Sequence, residues 1–389
     1  MPAYDFVIAG GGLAGLSLAC HLVRSPLCGA SILVIDRAPP GSDRLLSYWT
    51  DRATLFDPIV QQAWSQIHIA NRAYARTLDL PGCRFELVRG ADLQRFARHE
   101  LSLHANVTFW HGAVERIHAG ARGARVAANG QTVAAGWVFD STHWPHAWAR
   151  PGQQLGMHFQ GWTIQTQRPA FGPDAVTFLD TRTPQQHALR FFYVLPYSDR
   201  QALVEYVVYA RERPRREEAL AALHSYLPAA WGVSDYDVVG EEAGWLPMLA
   251  TRAPRRLGPH HLAIGARAGL IKPTTGFAFR RIQADSAAIV RSLLRTGKPW
   301  SLPPVSERHR LYDALLLDVL ERRGQAIEAI FAALFARNRL DRVLRFLDET
   351  STPTEDLELI ATLPTQPFLE ALPRMAARRL AGWPRIANS

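Results

Sequence analysis

Residues Tyr4 to Ala19, YDFVIAGGGLAGLSLA, run from an apolar strand pattern through a glycine cluster into a helical pattern. Phe6-Val7-Ile8-Ala9 is the short apolar run of a strand buried on both faces. Gly10, Gly12 and Gly15 follow in the spacing G-x-G-x-x-G, and the helix-forming run opens at Leu13 and Ala14. In this context the first glycine allows a tight turn and the second lets backbone N–H groups approach a pyrophosphate. The third lets helix and strand pack closely. The helix N-terminus then turns its positive dipole end toward the phosphates. A second strand pattern, Ser31 to Ile35, ends in Asp36-Arg37, and an acidic side chain there bonds ribose hydroxyls. These features predict a dinucleotide site.

FAD is favoured over NAD by the rest of the chain. The motif lies at the start of the sequence, and after the first βαβ unit comes a long excursion, expected to be irregular, over about residues 39–82. A later strand, HHLAIGARAG (260–269), is similar to the second flavin-contacting segment of such proteins and places Gly265 near the cofactor. Redox flavoenzymes usually carry an aspartate after that glycine, and here Ala266 stands in its place. Asp140, at the end of WVFD, reads equally as a residue closing the nucleotide site or as a turn former.

The chain has 389 residues, 48% hydrophobic and 20% charged, enough for two folded domains. Its three cysteines contain no CxxC spacing, which argues against a disulfide framework or a zinc site and fits a reducing compartment. No metal is expected. No apolar run reaches the roughly 18–20 residues of a spanning helix, and the strand pattern begins too early for a leader peptide to precede it. The net charge of +9 is almost wholly arginine, since Lys272 and Lys298 are the lysines of the chain. The arginines are spread along helical patterns and form no basic block with interleaved aromatics. No nucleic-acid partner is therefore expected, and solvated helix faces or a membrane surface account for the charge.

The predicted fold class is α/β. It comprises a Rossmann-like FAD-binding domain, an inserted antiparallel-sheet substrate domain and a C-terminal helical region. The FAD-binding domain is assigned to 1–50, 83–150 and 258–300, the substrate domain to 51–82 and 151–257, and the helical region to 301–389. The hairpin signal VAANGQTVAA belongs to the first, and the long strand patterns between 151 and 250 to the second.

Glu205 is the candidate acid. In Ala202-Leu203-Val204-Glu205-Tyr206-Val207-Val208-Tyr209 the period of two puts Glu205 on one face with Leu203, Val207 and Tyr209. Both faces are apolar or aromatic, so desolvation should raise its pKa and keep it protonated, as general-acid chemistry requires. The structural alternative is a buried ion pair with an arginine such as Arg190. Trp49, Trp162, Phe191, Tyr193 and Tyr206 are candidate substrate contacts, and the residues alone leave open whether they form sheet core or line an apolar tunnel. Their ring faces suit a cation.

Taken in order, IAGGGLAGLSLA, SYWTD, HFQGW, FLDTRTPQ, LRFFYVLP, LVEYVVYA, GWLPM and GLIKPTTGFAF resemble the bacterial lycopene cyclases over almost the full length. The last stretch is the most specific. The resemblance implies a non-redox flavoprotein that works with FAD reduced by NAD(P)H. Such an enzyme closes the linear ψ-ends of lycopene to β-rings by protonation, ring closure and proton loss, an isomerase reaction. It leaves open whether Glu205 or the reduced flavin delivers the proton. It also implies that Lys272, Thr275, Gly276 and Phe277 lie by the flavin, with Thr274 and Thr275 as caps of the following helix. The family's acidic strand often carries a second acid, but here Tyr206 and Val207 follow Glu205. An insoluble substrate implies a cytoplasmic protein held peripherally at the inner face of the cell membrane through its C-terminal helices. The alternative class is a redox flavoenzyme, either a monooxygenase or a prenyl-chain reductase.

Overall fold

The computed structural model describes residues 3–37, 45–142, 154–250, 253–324 and 326–380. The chain divides into two compact units. One comprises Met1–Ala63, Glu86–Arg150 and Thr251–Pro304, and the other Trp64–Phe85, Pro151–Ala250 and Val305–Ser389.

In the first unit the strand Ala3–Ala9 lies between Ile32–Asp36 and Gln131–Asp140, parallel to both. Val107–His111 extends the sheet beyond Ile32–Asp36, and His261–Ala263 extends it beyond Gln131–Asp140, again in parallel. Buried on both faces, these strands need apolar residues at every position, which is why Phe6-Val7-Ile8-Ala9 shows no alternation. Phe6 and Ile8 join the core beneath the helices Leu13–Val23 and Phe279–Thr296. Val7 and Ala9 pack on the other side with Leu33, Val126 and Val138. The expected hairpin forms: Gly123–Ala128 pairs antiparallel with Gln131–Asp140 around Asn129 (φ 52°) and Gly130 (φ 70°). Positive φ at both central residues is the turn geometry that matches strand twist.

The second unit is built on a seven-stranded sheet in the order Asp237–Pro247, Gly156–Gln165, Gln201–Ala210, Leu189–Pro196, Ala175–Asp180, Gln66–Ala70, Ala75–Asp79. All neighbours are antiparallel except Ala175–Asp180 with Gln66–Ala70. The early excursion is therefore not irregular: its described residues supply two strands to this sheet. The helix Arg216–Trp231 covers one face, burying Trp162, Ile164, Phe192, Val204, Tyr206 and Val208 against Leu223, Tyr226 and Leu227. Five helices between Glu307 and Leu380 belong to the same unit and do not stand as a third region. The ring of Phe335 meets Phe178 of the sheet at 6.2 Å, and Tyr74 Oη donates to the Ala332 carbonyl at 3.2 Å. The assigned C-terminal region also takes in residues 381–389, which lie outside the described residues. No described helix is long and apolar enough to cross a membrane.

Candidate cofactor cradle and acid-bearing sheet face

The glycine loop is made by local constraints. Gly10 sits at φ +103°, donates to the Ile35 carbonyl at 2.8 Å, and has no room for a side chain against Ser141 Oγ. A Cβ on Gly15 would collide with the Gly10 carbonyl, so the helix rests directly on the turn. Gly12 is different, because nothing lies within 4 Å of where its Cβ would be. No side chain caps the helix that begins there with Leu13 and Ala14. An open approach at the second glycine and an uncapped N-terminus are what a pyrophosphate needs, so these residues fit a dinucleotide. Asp36 ends its strand with Oδ2 facing Gly11, 2.9 Å from the position of a Cβ there, and Arg37 follows exposed at the bend.

Asp140 does not face this cradle as a free acid. Its Oδ1 accepts from Thr142 N and Oγ1 at 2.8 and 2.6 Å, and its Oδ2 lies 3.0 Å from His261 Nε2 and 3.3 Å from Arg267 Nε. Burial opposes its charge, but His261, Arg267 and Thr142 outweigh that and hold the carboxyl below its usual range. Asp140 clasps the second segment to the sheet. Beyond it, Gly265 (φ +60°) brings that segment against the first helix, 2.5 Å from Ala14 Cβ to its own hypothetical Cβ.

Lys272 to Phe277 form one closed turn. Gly276 N donates to the Lys272 carbonyl and Lys272 N to the Phe277 carbonyl, both at 2.9 Å, and Gly276 takes φ +77°. The Lys272 residue is 4% exposed. The threonines do not cap the next helix: it starts at Phe279 behind Ala278, with no side-chain cap. Thr275 Oγ1 instead accepts from Phe277 N at 3.4 Å inside the turn. The turn runs on for two residues past Gly276 before helical geometry begins, beyond the reach of either hydroxyl. Trp49 packs its edge on Phe277, with centroids 4.9 Å apart, within the same unit.

In the second unit the register settles the surroundings of Glu205. One rung reads Glu242, Gly161, Glu205, Tyr193 across four strands. Leu203, Val207 and Tyr209 share its face, and so does Phe191, paired with Val207 and 6.4 Å from the Tyr209 ring. Tyr193 meets Phe85 and Phe178, each at 6.4 Å. Trp162 and Tyr206 are not brought together with Glu205: both point to the opposite face, into the core under helix Arg216–Trp231. Arg190 is also on that side and bonds Glu218 at 3.0 Å, so the ion-pair alternative for Glu205 does not form. Burial, then the nearby Glu242 carboxylate, push the Glu205 carboxyl well above the ordinary carboxylate range. Glu242 was not picked out from the sequence, because no local pattern says which strand lies beside Gly156–Gln165.

A parallel sheet with a glycine cradle at its strand ends, joined to an antiparallel sheet unit, defines the α/β fold of the FAD-binding flavoproteins. The solved structure of a flavoprotein/dehydrogenase from Cytophaga hutchinsonii shares it, with TM-score 0.59 at 11% identity over 89% of this chain and 92% of that one. The family model described as lycopene cyclase protein matches residues 5–373, and the chain belongs to that family. It is 28% identical over 298 residues to a lycopene beta-cyclase of Pseudescherichia vulneris, covering 74% of each chain. It is 26% identical over 295 residues to a lycopene beta-cyclase of Paracoccus sp. (strain N81106 / MBIC 01143), covering 71% of this chain and 70% of the relative.

Proposed function

We propose that the protein is a lycopene beta-cyclase that closes the ψ-ends of lycopene to β-rings without net oxidation. The observation that carries this reading is an acid, Glu205, set on an aromatic sheet face in a chain of this family, with its carboxyl pushed above the ordinary range by burial and by Glu242. Glu205 gives its proton to the terminal alkene, forming a tertiary cation. The neighbouring double bond attacks it and closes a six-membered ring. Loss of a ring proton yields the β-end, so electrons and protons balance. Phe191, Tyr193 and Tyr209 offer ring faces to the cation on the side of Glu205.

Gly10, Gly12, Leu13, Ala14, Gly15, Asp36 and Arg37 would hold the FAD pyrophosphate and ribose, and Gly265, Thr275, Gly276 and Phe277 would hold its flavin part. When bound and reduced by NAD(P)H, the cofactor would supply an electron-rich ring. Lys272 would offer a positive charge to the negative charge of the reduced ring. Trp49 supports the turn through Phe277. The substrate is met at a membrane surface. The decisive experiment is anaerobic incubation with lycopene, FAD and NAD(P)H, followed by product analysis. Cyclic carotene formed with only catalytic consumption of reductant supports the reading. Unchanged lycopene, with stoichiometric reductant oxidation on another prenyl compound, overturns it in favour of a redox flavoenzyme.

A further inference from the structure

The edge strand Asp237–Pro247 turns Gly240, Glu242 and Gly244 toward the face that carries Glu205. Each missing side chain is filled by a neighbour. Thr163 Cβ stands 3.3 Å from the Cβ position of Gly240, and the Phe159 ring occupies that of Gly244. The gap at Gly161, in the strand between the two acids, is bordered by both of them and by Leu203. The point a Cβ would occupy there is 2.8 Å from Glu205 Cγ, 3.2 Å from Leu203 Cδ1 and 3.3 Å from Glu242 Cγ. Acids two strands apart in a sheet are normally separated by the side chain between them. Here that side chain is absent, and the Cγ atoms of both acids border the space it would fill, together with Leu203.

We propose that Glu205 and Glu242 share one proton across Gly161, and that Glu242 is the positioning residue that keeps this proton on Glu205. Two acids that border one empty side-chain space and repel each other do not both ionise readily, so one stays protonated where an isolated acid would not. The other groups around the pair do not replace Glu242. Tyr193 and Tyr209 present phenols on the same face, and burial pushes the Tyr209 phenol up, so it stays neutral. Glu241 points to the other face, where it accepts from Gln160 and Arg216. Helix Arg216–Trp231 packs on that other face, and its Glu218 pairs with Arg190. Helix Glu307–Arg323 also packs on the Glu205 strand. Its Asp318 is held by Arg322 and Arg374, its Glu321 by Arg211, and its Asp313 is buried.

This inference deepens the cyclase reading and rests on it for its catalytic meaning. After Glu205 gives its proton to the alkene carbon, two carboxylates face each other, and the proton released from the ring returns to them. The C–H bond formed and the C–H bond broken balance, and no oxidant or reductant is consumed.

The test is infrared titration of the full-length, FAD-loaded protein, read beside the pH profile of cyclisation. Wild type should show a protonated-carboxyl band at neutral pH that Glu205→Gln removes. In Glu242→Gln both the band and the alkaline limb of activity should move to lower pH by about one unit or more. Glu242→Asp, which keeps the charge, should restore them. A band and limb unmoved in Glu242→Gln overturn the proposal. If that variant does not fold, wild type still decides. Its carboxyl band should grow in two separated steps as pH falls, and a single step overturns the pair. A titrating pair in a protein that leaves lycopene unchanged sinks the cyclase reading but not the shared proton.

Discussion

Glu205 and Tyr206 are adjacent in sequence and opposite in environment, one facing Tyr193 and Glu242 across the sheet, the other sealed under helix Arg216–Trp231. Glu205→Gln should lower cyclisation by about 100-fold or more, as expected for loss of a general acid; retained turnover would assign protonation elsewhere. The same variant carries a stability signature. The Glu205 carboxyl is raised in the folded state, so the native protein binds a proton that the unfolded chain releases, and its stability falls as pH rises through the folded value. Urea titrations across pH should give wild type a downward slope of up to about 1.4 kcal/mol per pH unit for that proton. Glu205→Gln should lack it. Lys272→Met, at the buried lysine of the closed turn, should weaken activity or raise the reductant requirement; unchanged kinetics would remove the lysine from the mechanism. The acid and its apolar face were legible in the alternation of one strand. The same parity places Tyr206 away from Glu205, and Trp162 follows because it sits one residue past Gly161, the partner of Glu205. Glu242 was not legible, because its position depends on which strand pairs with Gly156–Gln165, a long-range choice absent from local pattern.

The glycine turn, the Asn129-Gly130 hairpin and the Lys272–Phe277 turn are elements whose backbone geometry only a few residue types permit; the first two could be read directly, while the third drew attention only through the family resemblance. What failed was the end of the third. The helix after it begins at Phe279 without a side-chain cap, and Thr275 serves the turn instead. Helix starts depend on where a preceding turn closes, and Pro273 constrains the chain without announcing that point. Gly15→Val tests the first element. Its side chain would meet the Gly10 carbonyl and Ile8, so the helix must lift from the turn. The purified variant should carry little or no FAD by absorbance, while full flavin content would refute the assigned packing.

At the scale of the whole chain, two apolar features of the C-terminal helices pull apart. Ile327, Ile330, Leu334 and Phe335 are buried, whereas Leu357, Leu369 and Leu372 are 66%, 62% and 44% exposed. Removing the entire region would therefore strip core residues from its unit and confuse unfolding with detachment. Replacing the three exposed leucines by aspartate is the cleaner test of membrane contact. The variant should stay folded and lose flotation with anionic vesicles, and flotation equal to wild type would exclude these positions. Each unit, moreover, is woven from three separated stretches of chain. The helix Phe279–Thr296 that packs on Leu13–Val23 is made more than 250 residues after the glycine fingerprint. At ordinary synthesis rates that delay is on the order of ten to fifty seconds. For that time the nascent first helix lacks this partner, so the part of its apolar side that the later helix covers is open to chaperones, and the completed packing beneath the glycine turn must wait for it.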